Sequence, residues 1–370
     1  MEITRMRHPI RTAAVLATAG VLLAGCSARM PVSINTATAP NSFATSPMAT
    51  LTGTPTEVVT GLGAPWDVVL FKGTALISSR NSGDILEVLP GGSTRLVGTV
   101  PDVQHTMESG LLGLAVGNDS TLFAYSTTAD DNRIERFTVE GSAGSFSLGV
   151  EEVVVDGLPT NSFHDGGRIA FGPDGMLYAS VGDAGNGAAA QDEERLNGKI
   201  LRMTPDGAAP ADNPFPGSLV YSLGHRNVQG LGWASDGTMF AAEFGQDAWD
   251  ELNVIQAGAN YGWPEVEGPG GGNDYVDPVQ YWAPDDASPS GLTVIDDTIF
   301  IANLRGEVLR AVPTADLDTS QDYYAGEYGR LRSVLPGPDG MLWIVTNNTD
   351  GRGDPGDGDD RILQVPVTAP

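Results

Sequence analysis

Glu108, His164 and Arg226 each stand eleven residues before the second residue of a polar two-residue turn, and Asp183, Gly245 and Arg305 each stand eight residues after one. An imidazole can take up a proton at physiological pH, because its ordinary pKa lies close to neutrality. Guanidinium forks grip carboxylates and other planar anions through paired hydrogen bonds. Arg330 and Arg332 fall near the equivalent point of the last repeat and add two more cations. A His, carboxylates and several Arg at equivalent positions imply a site for an anionic ligand with acid–base chemistry. His164 lies in Ser162-Phe-His-Asp-Gly-Gly-Arg168, where two glycines leave the backbone open. A lone histidine is more often a structural hydrogen-bonder. His225, next to Arg226 in an alternating strand, is expected to point the other way and to be structural. The acidic stretch from Asp350 to Asp360 offers carboxylate and carbonyl oxygens to Ca²⁺, but its spacing is not that of an EF-hand and a solvated loop is an equal alternative. A phosphate-cradling Gly loop, a Cys/His zinc set and a Gly-x-Ser-x-Gly elbow are all missing from the sequence.

What must position these residues is a repeat. Six copies of one pattern run along the chain: an apolar strand, a polar turn, a second apolar strand, and later a short strand of the type Ile-Leu-x-Val. The turns are Lys72-Gly73, Asn118-Asp119, Asp174-Gly175, Asp236-Gly237, Asp296-Asp297 and Asp339-Gly340. Such residues tolerate the positive φ of a tight hairpin turn. The later strands are expected from Ile85, Ile134, Ile200, Leu252, Val308 and Ile362. The unit length and strand count suit a four-stranded blade, so the sequence predicts an all-β, six-bladed β-propeller, closed by Glu57-Val58-Val59 as a strand of the last blade. In such a ring both outer ends of each inner hairpin meet one mouth of the channel, which would gather the ionisable residues.

The 370 residues include 48 Gly and 25 Pro, with 18% charged and 41% hydrophobic residues, a composition suited to many short strands and tight turns. A net charge of −27 argues against a nucleic-acid partner, since phosphate contact wants the opposite sign. At the start, Arg5, Arg7 and Arg11 precede an apolar run that ends in Leu23-Ala24-Gly25-Cys26. This is the pattern of a lipoprotein export signal over 1–25, with the single Cys as the acylated residue. A lipid-anchored, extracytoplasmic protein is therefore expected. Residues 26–53, rich in Ala, Thr, Ser and Pro, read as the lipidated Cys and a flexible tether, and 54–370 as the catalytic propeller. Cys26 being the only cysteine, the folded part has no disulfide and must be held by burial, hydrogen bonds or bound metal.

The run from His164 to Tyr178, with Gly198-Lys-Ile-Leu-Arg, Asp212-Asn-Pro-Phe, Gly224-His-Arg-Asn-Val-Gln-Gly, Asp250-Glu-Leu-Asn and Asn260-Tyr-Gly-Trp-Pro, closely resembles the soluble glucose/sorbosone dehydrogenase family, also called soluble aldose sugar dehydrogenases. The resemblance covers about residues 55–368. It implies a six-bladed propeller that uses pyrroloquinoline quinone (PQQ) and Ca²⁺ to oxidise aldose sugars at C1 to lactones, passing electrons to an external acceptor. By resemblance, His164 is the general base, Arg226 and Asn227 stand beside the quinone oxygens, and Glu108 and Arg305 contact PQQ. Arg330 and Arg332 match an Arg-x-Arg that pairs with its carboxylates. The carbonyls of Gly245 and Gln246 would hold the catalytic Ca²⁺ near Asp250, and Glu251 and Tyr261 resemble a second, structural calcium site. Gln246 replaces a common Pro, Phe163 a polar residue, and Asp285 and Asp286 add acid near the mouth, which puts glucose preference in doubt. A calcium-dependent lactone hydrolase and a non-catalytic sugar-binding propeller are the alternative functions.

Overall fold

The computed structural model describes residues 48–370. The export signal, Cys26 and nearly all of the tether lie outside the described residues. Each of the six turns joins the two strands expected of it, as in Pro65–Phe71 and Thr74–Ser79 around Lys72-Gly73, or Pro289–Ile295 and Thr298–Asn303 around Asp296-Asp297. Lys72, Asp296, Asp297 and Asp339 all take positive φ, as the turn chemistry requires. The later strands fall where expected, for example Lys199–Met203, Asp250–Ile255 and Ile362–Thr368.

Five sheets contain four sequential antiparallel strands each. The sixth joins Leu331–Pro336, Met341–Thr346 and Ile362–Thr368 to the N-terminal strand Thr56–Val59, in the register Glu57↔Leu363 and Val59↔Ile362. This is the all-β, six-bladed propeller expected, with the first strands of successive blades adjacent around the axis. Thr50–Leu51 also pairs with the end of Ile362–Thr368, so sheet pairing begins ahead of the expected start at residue 54. Ring closure carries polar ties as well. Asp360 and Leu62 exchange backbone hydrogen bonds, and Arg361 pairs with Glu57 at 2.9 Å.

Because each blade packs between two others, both faces of its inner strands are apolar and no alternation is seen. Leu177–Val181 and Val308–Pro313 are buried at every position. Trp66, Tyr125, Ile169 and Leu177 join blades one to three, while Phe300, Leu309, Leu331 and Leu363 join blades five and six. Buried carboxyls, among them Asp67, Glu87 and Glu135, interrupt this packing. Glu135, buried and bonded to the Ser126 hydroxyl at 2.8 Å, is pushed up by burial to about 7. An acid whose folded pKa is raised contributes stability that is full below its unfolded value and is lost as pH rises through the folded one. Stability should therefore fall between about pH 4.5 and 7 through this group. Glu135→Gln is expected to melt higher than wild type at pH 8 and equally at pH 4, and a variant melting at or below wild type at pH 8 rejects this.

Candidate active site

His164 lies in the loop that enters the first strand of blade three, with φ of +59°. A non-glycine residue in this region is strained and persists where its surroundings hold it. They do so here on both sides. The His164 amide donates to Glu108 Oε2 at 3.0 Å, and the neighbouring Asp165 carboxylate accepts from Asn132, Thr160 and the Asn161 amide. Gly182 is needed for the fit, since a Cβ there would lie 1.9 Å from the His164 carbonyl oxygen. That close approach brings the next residue, Asp183, to the imidazole: Nδ1 and Asp183 Oδ1 are 2.8 Å apart.

The second Asp183 oxygen accepts the Trp263 indole N–H at 2.9 Å. Burial would raise the Asp183 carboxyl, but the bonds from His164, the Gly185 amide and Trp263 hold it below the usual range. An ionised carboxylate can only accept, so Nδ1 is the donor to Asp183, which leaves Nε2 as the acceptor whenever the ring is neutral. The side chain is 16% exposed. This is the arrangement of a general base oriented by a carboxylate. Asp183 belongs to the ring of equivalent positions read from the sequence, but its pairing with His164 had no signal there.

Glu108 also lines a small cavity, of about 20 Å³, with Trp66, Arg80, Gln229, Arg330, Arg332 and Asp350 among its walls. Its pKa is lowered: burial acts upward, but Arg352 at 2.8 Å and the His164 amide outweigh it. Arg330 donates to Asp350 Oδ2 at 2.9 Å, Arg332 lies 3.8 Å from the same oxygen, and Arg80 donates to the Asp350 carbonyl at 3.1 Å. Two buried guanidinium groups thus share the Asp350 carboxylate while a third, Arg80, holds its backbone carbonyl, and burial lowers the pKa of Arg80 and Arg332. The excess positive charge suits an anion with several carboxylates. Arg332 is further fixed by Gln229 Oε1 at 2.7 Å and Asn347 Oδ1 at 3.0 Å. The acidic stretch therefore has a structural use: Asp350 balances the arginines, and Asp360 accepts from the Thr346 and Thr349 hydroxyls.

Arg226 and Asn227 keep unmet hydrogen-bonding capacity. Arg226 Nε and Asn227 Nδ2 are buried without a partner, although Asn227 Oδ1 accepts the Gly166 amide at 3.0 Å. Buried polar atoms are seldom left so, and a ligand bearing oxygens would satisfy both. The Arg226 guanidinium stands 5.4 Å from the centre of the Trp263 ring, which ties it to the Asp183 side of the site. His225 is fully buried between Ser222 and Glu243 and stacks on Tyr261, a structural role as expected.

The turn after Phe244 contains the residues expected at a calcium ion. Asp250 is buried, accepts the amides of Gly245 and Ser288, and is raised by burial to about 6. Glu251 accepts from Gly268 and Asn253, and Tyr261 Oη bonds to the Val254 carbonyl and the Gln256 amide. No group of three or more acidic or imidazole side chains among the described residues is placed to hold a metal. A calcium ion here would rest on carbonyls, and those of Gly245 and Gln246 accept no hydrogen bond among the described residues. Arg305 is not brought to the cavity. Its side chain is 60% exposed and pairs with Asp285 at the surface, because it lies in the turn two residues past the buried strand Thr298–Asn303. Arg80, Trp66, Gln229, Arg352 and Trp263 were not found by sequence reasoning, since they occupy no shared repeat position among those used.

Fold and site together define a propeller oxidoreductase, with a carboxylate-held imidazole beside an arginine-lined cavity. A family model described as Glucose / Sorbosone dehydrogenase matches residues 62–354. The chain belongs to this family. A PQQ-bound aldose sugar dehydrogenase from Streptomyces coelicolor superposes with a TM-score of 0.82 at 48% identity, covering 86% of this chain and 98% of that one. Aldose sugar dehydrogenase YliI of Escherichia coli strain K12 is 27% identical over 78% of this chain and 89% of its own. Quinoprotein glucose dehydrogenase B of Acinetobacter calcoaceticus is 34% identical over 52% of this chain, and the match spans about half of that relative (48%).

Proposed function

We propose that this protein oxidises aldose sugars at C1 to lactones with PQQ and Ca²⁺, and delivers the electrons to an external acceptor. The observation that carries the reading is one cavity edge where Glu108 receives the His164 amide while facing Arg80, Arg330 and Arg332. The residues fit both groups. Three carboxylates on PQQ match the surplus of guanidinium charge, and the unpartnered Arg226 Nε and Asn227 Nδ2 can donate to quinone oxygens. The carbonyls of Gly245 and Gln246 are open to Ca²⁺, with Asp250 behind them.

When bound, PQQ supplies a two-electron acceptor for hydride, with Ca²⁺ as a Lewis acid beside it. His164 Nε2 removes the proton of the sugar C1 hydroxyl, which strengthens the push of hydride from C1 and leaves the C1 carbonyl of the lactone. Asp183 holds the ring and stabilises the imidazolium that results. Trp263 and Gly185 keep the carboxylate ionised and in place. Arg226 would set positive charge near the reacting atoms, and Arg330 and Arg332 would hold the cofactor's carboxylates.

The export signal and Cys26 support a protein tethered by lipid outside the cytoplasm. The test is reconstitution. Apoprotein given PQQ and Ca²⁺ is expected to reduce an artificial dye when aldoses are added, and to do nothing with either cofactor omitted. Silence across a panel of aldoses, or lactone hydrolysis with Ca²⁺ alone, overturns the proposal.

A further inference from the structure

Glu267 stands outside every sequence motif used above, yet it makes the densest set of backbone contacts of any carboxylate oxygen near the site. Its Oε1 accepts the N–H groups of four successive residues: Gln246 at 2.5 Å, Asp247 at 3.0 Å, Ala248 at 3.0 Å and Trp249 at 3.2 Å. Converging amides of this kind form a concave anion seat, and here the chain fills it with its own carboxylate. Two glycines make the approach possible. A Cβ on Gly245 would lie 1.8 Å from the Trp249 carbonyl oxygen and 2.7 Å from Glu267 Oε1, and one on Gly268 would lie 2.2 Å from the Trp249 ring. Glu251 fixes the other end by accepting the Gly268 amide at 2.7 Å.

The consequence follows from the planarity of the peptide group. In a trans peptide the C=O points opposite to the N–H that shares its plane, and the peptides of this turn are trans. The Gln246 amide belongs to the same plane as the Gly245 carbonyl, and the Asp247 amide to the same plane as the Gln246 carbonyl. By drawing those two N–H groups to itself, Glu267 turns the carbonyls of Gly245 and Gln246 away from itself and out of the turn. Asp250 supports the same geometry from the next position, taking the Gly245 amide at 2.8 Å.

We propose that Glu267 is a positioning residue that presets the Gly245 and Gln246 carbonyls for a divalent cation, acting through the turn and not as a ligand. This rests on the calcium reading above and deepens it, because it says why two carbonyls of an exposed turn would be found ready-aimed. A carboxylate placed to anchor amides also explains how so acidic a protein can build a cation site here without a cluster of carboxylate side chains. Ordering carbonyls before the ion arrives removes part of the entropy cost of binding.

The experiment compares wild type, Glu267→Ala and Glu267→Gln as PQQ-free full chains. Ca²⁺ affinity is read by calorimetric titration, and exchange of the amides of residues 246–249 by hydrogen–deuterium mass spectrometry. Expected are Ca²⁺ binding at least tenfold weaker in the alanine variant, a smaller loss in the glutamine variant, whose side-chain oxygen still accepts hydrogen bonds, and faster exchange of the four amides in the alanine variant. The glutamine variant retains the shape of the side chain and keeps the comparison meaningful if alanine unfolds the turn. Affinity within twofold of wild type in both variants overturns the positioning role, as does unchanged exchange. Wild-type protein that takes up no Ca²⁺ removes the calcium reading and this inference together.

Discussion

Turnover of the reconstituted protein is expected to fall by about 10²–10⁴-fold when His164 is replaced by alanine, with PQQ affinity close to wild type. The magnitude is that of losing a positioned base: His225 is enclosed by Ser222 and Glu243, and Lys199 is buried against three carbonyls, so neither can take its place. Affinity should survive because the imidazole contacts Asp183 and none of the arginines. Asp183→Asn tests the same unit from the other side. An amide in place of the carboxylate no longer requires the Nδ1 proton, so Nε2 is no longer held as the acceptor, and turnover should fall while the substrate KM changes little. Steady-state dye reduction and a PQQ titration measure the two effects. A His164→Ala protein with near-normal turnover takes the residue out of the base role, and one that no longer binds PQQ shows that the loop at φ +59° supports the cofactor seat instead.

Changing Arg330 and Arg332 together to alanine should weaken PQQ binding by at least 10²-fold, since each charge-assisted hydrogen bond lost is worth about 1.5–3 kcal/mol. The same change leaves the Asp350 side chain, 1% exposed, with the Arg80 guanidinium on its backbone carbonyl, and removing the partners of a buried ion costs about 3–5 kcal/mol of stability. Two losses are thus superimposed, and a third substitution separates them. Adding Asp350→Asn removes the stranded charge, so the triple variant should recover most of the melting temperature while its PQQ affinity stays low. Affinity at the wild-type level in the folded triple variant would place the cofactor's carboxylates elsewhere. The stability half is checked by thermal unfolding without cofactor, where the double variant must melt below both the wild type and the triple variant.

The fold was legible because it repeats. Lys72-Gly73, Asp236-Gly237 and Asp296-Asp297 announce their turns by residue type alone, and the apolar strands on either side need only local backbone preferences to be read. Equivalent places in the blades were legible for the same reason, which brought Glu108, His164 and Arg226 to attention. What each of those side chains meets was not. Arg305 occupies the same kind of position as Asp183, yet one ends exposed beside Asp285 and the other buried under His164. The difference comes from loops that the repeat does not govern, such as the segment bearing Trp263, which closes over Asp183 from blade four. Glu267 and Arg352 were invisible for a like reason. Their partners at 246–249 and at 108 are set by where long connections return, and no spacing encodes that.

The sequence by itself determined six blades, the closure of the ring by the strand at 57–59, and the equivalent repeat positions of Glu108, His164 and Arg226, because turn chemistry and strand patterning act over neighbouring residues. Tertiary structure alone decided that Asp183 holds His164, that the Asp350 carboxylate is shared by Arg330 and Arg332, and that Glu267 seats four amides. Those pairings depend on distances across blades, and the energy of a hydrogen bond or an ion pair is fixed by separation in space, to which separation along the chain is a poor guide.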